Sequence, residues 1–125
     1  MFRGLIIKES LKDFDDKPFQ AYVVHKYRHL MDKKFEIEIQ ELSVPDDEIF
    51  TVADEASKRL LPQKFYAHFL NPPEMIVAYP NTIVRVYRND AESVKLCKKI
   101  GCLFGIENRL MKYDEMFEKD HPNDL

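Results

Sequence analysis

Glycine is scarce in this sequence: Gly4, Gly101 and Gly105 are the only three among 125 residues, and tryptophan is absent. Loops that cradle phosphate groups need closely spaced glycines so that backbone N–H groups can approach the ligand. No such cluster occurs here. The P-loop and the dinucleotide-binding fingerprint are therefore both excluded.

Long apolar runs are also missing. The longest early one, Leu5-Ile6-Ile7, is too short for the core of a signal peptide. No segment approaches the roughly 20 apolar residues that a membrane-spanning helix needs. We therefore expect a soluble, cytoplasmic protein with no membrane partner.

Cysteine occurs only twice, at Cys97 and Cys102. On a continuous helix, a separation of five residues places two side chains on well-separated faces. A disulfide and a shared metal ion both need the sulfur atoms close together, so neither is favoured. We interpret both residues as buried free thiols, and we expect neither a metal nor a cofactor.

The chain has no excess of positive charge. Its net charge of -3 arises from 22 acidic and 19 basic residues that are mixed along the sequence. We expect no nucleic-acid partner on this composition, because no basic field favours a phosphate backbone. The one basic group, Lys26, Arg28, Lys33 and Lys34, is better interpreted as the solvated end of a hairpin.

What the chain does have is an ample apolar fraction. Hydrophobic residues make up 45% and aromatics 12% of the sequence, enough for one folded domain of this size. We assign a single α+β domain to residues 1–117. Residues 118–125, with His121, Pro122 and Asn123, are predicted to form a frayed tail.

The first part of the chain predicts three strands. Residues 4–9 form a short apolar run, and residues 21–30 fit a strand better than a helix because Tyr-Val-Val is β-prone. Residues 35–44 begin with strict apolar and polar alternation. The alternation then changes phase, which suggests a β-bulge near Gln40 or Glu41.

Three helices are predicted. The first is capped by Asp46 and ends at Pro62, and the second is capped by Asp90 or Asn89 and stops at Gly101. A third, shorter helix covers residues 107–117. The first has the clearest helical spacing of apolar residues, at Ile49, Val52, Ala53, Ala56 and Leu60.

Residues 65–88 predict a three-stranded meander, with turns at 71–74 and at Pro80-Asn81. If Leu70 pairs with Met75 and Tyr79 with Thr82, alternate side chains fall into two sets. The dry set is Phe65, Ala67, Phe69, Ile76, Ala78, Ile83, Arg85 and Tyr87. The set with polar tips is Tyr66, His68, Leu70, Met75, Val77, Tyr79, Thr82, Val84 and Val86.

Both sets are largely apolar, so both faces of this sheet need a cover. We predict an α+β fold with an antiparallel or mixed sheet of five to six strands and two to three helices packed mainly on one face. The other face is then expected to be covered by a second copy in a homodimer. A curled sheet and a small apolar ligand are the alternatives.

The candidate pocket or interface comprises Tyr66, His68, Tyr79 and Arg85. An imidazole that titrates near neutral pH and is oriented by phenols can transfer protons. A core histidine hydrogen-bonded to a tyrosine explains the same residues, and no carboxylate is connected to them by sequence. His25 and His29 suit a metal pair on a helix but lie too far apart on a strand.

Two segments of the chain also resemble known protein families. The segment from Asp90 to Cys102, after the strand Thr82 to Arg88, resembles the last motif of the GCN5-related acetyltransferases, at Asp90, Ser93, Leu96-Cys97, Lys99 and Gly101-Cys102. Cysteines stand where that family has aromatics, and Asp90 stands where it has asparagine. The glycine-containing loop that binds the coenzyme pyrophosphate in that family has no counterpart upstream.

Residues 3 to about 113 resemble a family of small prokaryotic proteins without assigned function. The resemblance is carried by the segments from Gly4 to Leu11, Leu42 to Asp46, Phe65 to Phe69, Met75 to Ala78, Ile83 to Val86 and Gly101 to Ile106. It implies an α+β fold and carries no known catalytic residues. The family usually has Trp-Tyr at Phe65-Tyr66 and a different ending at 108–113.

These observations lead to three functional hypotheses. The first is a non-catalytic or ligand-binding domain that self-associates through its sheet. The second is a small enzyme that uses the Tyr/His cluster in an apolar pocket. The third is a degenerate acetyltransferase-like protein.

Overall fold

A computed structural model describes residues 1–31, 33–62 and 64–120. Six strands form one antiparallel sheet in the order β2-β3-β1-β4-β5-β6. The strands are β1 (Phe2–Ile7), β2 (Val23–Met31), β3 (Phe35–Val44), β4 (Ala67–Asn71), β5 (Glu74–Tyr79) and β6 (Thr82–Tyr87). The helices are α1 (Ile49–Arg59), α2 (Ala91–Leu103) and α3 (Tyr113–Met116). The predicted α+β class and the six-stranded antiparallel sheet are confirmed.

Short 3₁₀ turns connect several of these elements. They span Lys8–Ser10, Lys12–Phe14, Lys17–Tyr22, Asp46–Glu48 and Asn108–Leu110. The turn at Lys17–Tyr22 contributes a fully buried phenylalanine, Phe19, to the core.

The phase change in β3 has a different cause from the one predicted. The pairing of β3 with β1 runs without interruption from Phe2↔Val44 to Ile7↔Ile39, so β3 has no bulge at Gln40 or Glu41. Instead, Ile37 and Ile39 pack on one face of the sheet, whereas Leu42 and Val44 pack on the other. The bulge lies in β2, between Val23 and His25.

The meander has the predicted register. Leu70 pairs with Met75, and Tyr79 pairs with Thr82, so the two predicted sets of side chains lie on opposite faces. At the second turn Asn81 has φ 56°, which leaves Pro80 free to keep its usual negative φ. The asparagine thus supplies the positive φ that the proline cannot.

One face of the sheet, which we call the α1 face, is covered by α1. Its core contains Ala67, Phe69, Ile76 and Ala78 of the meander with Val52, Ala53 and Ala56 of α1. Asp46 does not cap this helix: its carboxylate accepts from the amino group of Met1 at 2.6 Å, and no side-chain cap is formed. Gly4 of β1 allows close approach, since a Cβ there would lie 2.4 Å from Cδ1 of Phe69.

The opposite face of β4–β6, the α2 face, is covered by α2 and residues 104–117. Asp90 caps α2 as predicted, accepting from the backbone N–H of Ser93 at 3.3 Å. Gly101 does not end this helix, which continues to Leu103. A Cβ at Gly101 would lie 2.2 Å from Met111 Sδ and 2.9 Å from Tyr79 Oη, so the glycine permits close packing there.

The predicted third helix is mostly irregular. Residues 107–117 form one 3₁₀ turn and the four-residue α3, and they bury Met111, Tyr113, Met116 and Phe117 against the α2 face. The helices are therefore divided between both faces, rather than packed mainly on one. The expectation that the second face of the meander needs a cover from outside the chain is wrong.

None of the helices in the three described ranges is long and apolar enough to cross a bilayer.

Candidate functional site

The structure brings Tyr66, His68 and Tyr79 together on the α2 face. The ring centroid of Tyr66 lies 6.4 Å from that of His68 and 6.3 Å from that of Tyr79. Strand alternation explains this, because Tyr66, just before β4, and His68 are two residues apart, and His68 pairs with Val77, two residues before Tyr79. Tyr113, which sequence reasoning placed only in a helix, joins them with its ring 5.4 Å from Tyr66.

Tyr79 is the centre of the hydrogen-bonding network. Its hydroxyl donates to the carbonyl oxygen of Cys97 at 2.8 Å and lies 2.7 Å from the hydroxyl of Tyr113. Because a phenol has one proton, Tyr113 donates to Tyr79 in this arrangement. The Tyr79 ring also stacks on Phe104, with 5.6 Å between centroids, so its polar tip and its apolar ring are both enclosed.

Burial sets the acid-base properties of this cluster. Loss of hydration raises the pKa of Tyr66, Tyr79 and Tyr113 well above that of an exposed phenol. The same cause raises the pKa of the Cys97 thiol to about 11. At neutral pH all four groups are therefore protonated, which suits hydrogen bonding within a core better than proton transfer.

Tyr66 links the meander to the C-terminal segment. Its hydroxyl donates to the carbonyl oxygen of Leu110 at 2.6 Å. This bond satisfies the phenol within the chain, so the group is used to hold residues 108–116 against β4.

His68 has a carboxylate partner that the sequence did not indicate. Its Nε2 lies 3.0 Å from Oδ2 of Asp120, and Arg3 Nη2 donates to the other carboxylate oxygen at 2.5 Å. His68 and the Asp120 side chain are both buried, whereas Arg3 is exposed. A single aspartate in a polar tail forms no sequence pattern from which its contact with His68 could have been predicted.

This contact involves the segment predicted to fray. That segment begins at Glu118, and the structure describes it as far as Asp120, whose carboxylate joins β1 and β4. The remainder, with His121, Pro122 and Asn123, lies outside the described residues.

Arg85 is not part of the cluster. It lies on the α1 face near the end of the sheet, with its guanidinium carbon 5.0 Å from the ring centroid of Phe50. Its Nε is 3.5 Å from a carboxylate oxygen of Glu74, and its Nη1 donates to the Tyr87 hydroxyl at 3.4 Å. The candidate residues therefore form two sites, one enclosed and one exposed.

Two concavities lie beside α2, and neither reaches the enclosed cluster. One is lined by Glu92, Ser93, Lys95, Leu96 and Lys99, and the other lies between the start of α2 and residues 114–118. Neither is lined by Tyr66, His68 or Tyr79. Within the described residues, every fully buried side-chain nitrogen and oxygen has a hydrogen-bond partner.

His25 and His29 both lie on β2, as the strand prediction required, and the His25 ring stacks on Tyr27 at 5.5 Å. No group of three His, Cys, Asp or Glu side chains in the described ranges is arranged to hold a metal ion.

Comparison of the chain with protein-family models, with curated proteins and with solved structures finds no match. Both resemblances described above therefore stay predictions.

Proposed function

We propose that this chain is a non-catalytic α+β domain that acts by associating with a second copy of itself through an open part of its sheet. One observation carries the first half of this proposal: the polar tips of Tyr66, Tyr79, Tyr113 and His68 are bonded to other parts of the same chain. A cluster enclosed in this way stabilises the fold and leaves function to the surface.

The surface supports the second half of the proposal. Several large apolar side chains are more than half exposed, among them Val24, Leu30, Phe35, Phe50 and Leu96. The sheet also ends in two strands, β2 and β6, that each pair with one neighbour only. Strand edges and exposed aromatic side chains are features through which folded chains associate.

A small apolar ligand on the α2 face, the other expectation, has less support. That face is filled by α2, Met111, Tyr113 and Phe117, which are all packed against the meander. Free thiols at Cys97 and Cys102 fit a reducing compartment, which supports the proposal of a cytoplasmic location.

Sedimentation velocity over a wide range of protein concentration tests the proposal. We expect a reversible monomer-dimer equilibrium, with the dimer fraction rising with concentration. Native mass spectrometry of the same sample reports whether any ligand is retained. A protein that stays monomeric at the highest concentrations reached would overturn the proposal.

The Asp120 carboxylate favours one other function, a small enzyme that uses His68. A buried carboxylate bonded to an imidazole fixes its orientation, as general bases require. Such a base must reach a substrate, so His68 should react readily with diethyl pyrocarbonate in the folded protein. If His68 is modified only after unfolding, this alternative fails.

A further inference from the structure

Self-association through a strand edge can use either end of the sheet, and the two ends differ. The β2 edge has Lys26 and Arg28 side by side on the α1 face, opposite Gln40 and Glu38 of β3. Antiparallel pairing of two β2 strands about a twofold axis brings these cations of the two copies together. The bulge after Val23 further distorts this edge, and both features are ways in which proteins protect an edge from pairing.

The β6 edge has no such protection. Tyr79 and Thr82 flank a two-residue loop, and in such hairpins the flanking pair is hydrogen-bonded. Thr82, Val84 and Val86 therefore bond to β5, while Ile83, Arg85 and Tyr87 direct their backbone groups outward. Tyr87 is already satisfied, since its N–H donates to Ser93 Oγ at 3.0 Å and its carbonyl accepts from Asp90 N–H at 3.2 Å.

Ile83 and Arg85 are left with outward backbone groups that have no partner among the described residues. We propose that a second copy of this chain pairs with β6 about a twofold axis at Val84, so that Ile83 of each copy lies opposite Arg85 of the other. This inference rests on the proposed function. The register forms four main-chain hydrogen bonds and places no like charges opposite one another.

The neighbouring register is less favourable. An axis at Arg85 would place the two arginines opposite each other and would require the backbone groups of Tyr87, which Ser93 and Asp90 already occupy. Because residues at the start of α2 occupy the backbone groups of Tyr87, only those of Ile83 and Arg85 can bond to a second copy. Pairing through these two residues favours the axis at Val84.

The side chains around this edge suit a protein interface. Phe50 is 54% and Tyr87 42% exposed, and they hold Arg85 between them. Aromatic residues and arginine are enriched at interface cores, and an arginine already held in one orientation loses less entropy when it binds.

A charge-reversal series tests the register. Ile83→Arg places arginines of the two copies opposite each other twice. We therefore expect the dissociation constant of the dimer to rise by about tenfold or more. Adding Arg85→Glu to that variant places opposite charges in the same positions and should restore dimerisation. Leu30→Arg on β2 is the matched control and should leave the dimer unchanged.

A cross-link provides a second measurement that does not depend on how well those variants fold. In the proposed register the two Val84 residues form a non-hydrogen-bonded pair, whose Cα separation of about 4.5 Å suits a disulfide. In a Cys102→Ser background, Val84→Cys should form an interchain disulfide on mild oxidation. Leu30→Cys should not.

The outcomes separate the two proposals. If the native protein is monomeric, both fail. If it dimerises but Ile83→Arg has no effect, Val84→Cys does not cross-link, or Leu30→Arg abolishes the dimer, self-association stands and the β6 interface is overturned.

Discussion

The two faces of the meander are built from alternate residues of the same three strands, yet they are stabilised by different interactions. The α1 face is closed by one helix over Ala67, Phe69, Ile76 and Ala78, and its fully buried cluster contains no phenol or thiol. The α2 face is closed by α2 and an irregular segment around Tyr79, Tyr113 and Cys97.

The difference shows how an irregular segment can be held against a sheet without the hydrogen bonds of a helix. A helix brings its own hydrogen bonds, so α1 needs only apolar contact with the sheet. Residues 104–117 contain little helix, and the Tyr66 hydroxyl bonds their backbone at the Leu110 carbonyl. A side-chain hydroxyl thus supplies a backbone partner in a segment that has few helical hydrogen bonds of its own.

The largest expected effect is on the α1 face. Phe69 is fully buried against Gly4 and α1, so Phe69→Ala should lower the free energy of unfolding by about 3–5 kcal/mol. Urea unfolding measures this, with the exposed Leu103→Ala as control. A loss below about 1 kcal/mol would mean that this face is not a close-packed core.

The next effect concerns a single hydroxyl on the α2 face. Tyr79→Phe keeps the ring but leaves the buried Tyr113 hydroxyl without its partner and removes a bond to the Cys97 carbonyl, at a cost of about 1–3 kcal/mol. Tyr87→Phe removes an exposed hydroxyl and should change the stability by less than about 0.5 kcal/mol. Equal effects of the two substitutions would contradict a special role for the enclosed hydroxyl.

Alkaline pH should weaken the α2 face selectively. In the unfolded chain the thiol and phenols lose protons near pH 9 and 10, whereas burial keeps Cys97 protonated to about pH 11 and the enclosed tyrosines higher still. The folded state then holds more protons, so its free energy of unfolding falls as the pH rises above about 9.

Each group contributes about 1.4 kcal/mol per pH unit once the pH exceeds its unfolded pKa. Urea titrations between about pH 8 and 11 measure the slope, which Tyr79→Phe should make less steep above about pH 10. A stability that does not change over this range would show that these groups are hydrated in the folded protein.

The smallest effect is a difference in reactivity along α2. Cys102 is exposed, whereas Cys97 is buried with its thiol pKa raised to about 11. At pH 8, Ellman's reagent should therefore modify one thiol per folded chain and two after unfolding in urea. Rapid reaction of both would mean that α2 does not close its face of the sheet.

Side-chain alternation was sufficient to predict the meander, its register and the membership of its two faces. It also placed Arg85 in the opposite set from Tyr79. It could not show which helix covers which face, because both faces are apolar and the sequence of a connection does not reveal the side on which it crosses. Asp90 was recognisable as a cap, but Asp46, which also precedes a helix in the sequence, bonds to the N-terminus instead.

The partners of the candidate site were the least predictable part. In the sequence Gly101 predicts the end of a helix. Only the packed structure shows that its missing side chain leaves room for Tyr79 and Met111. Asp120 reaches His68 across 52 residues, a contact that no local spacing encodes.

The central position of β1 has a consequence for the order in which this chain can fold. β1 is made first, yet its partners are β3, through pairs such as Phe2↔Val44, and β4, through pairs such as Arg3↔Leu70. The hairpin β2–β3 and the meander β4–β6 can each form from neighbouring residues, but only β1 joins them. During synthesis this strand must wait for about half of the chain, so the rate of folding depends on contacts that are distant in sequence.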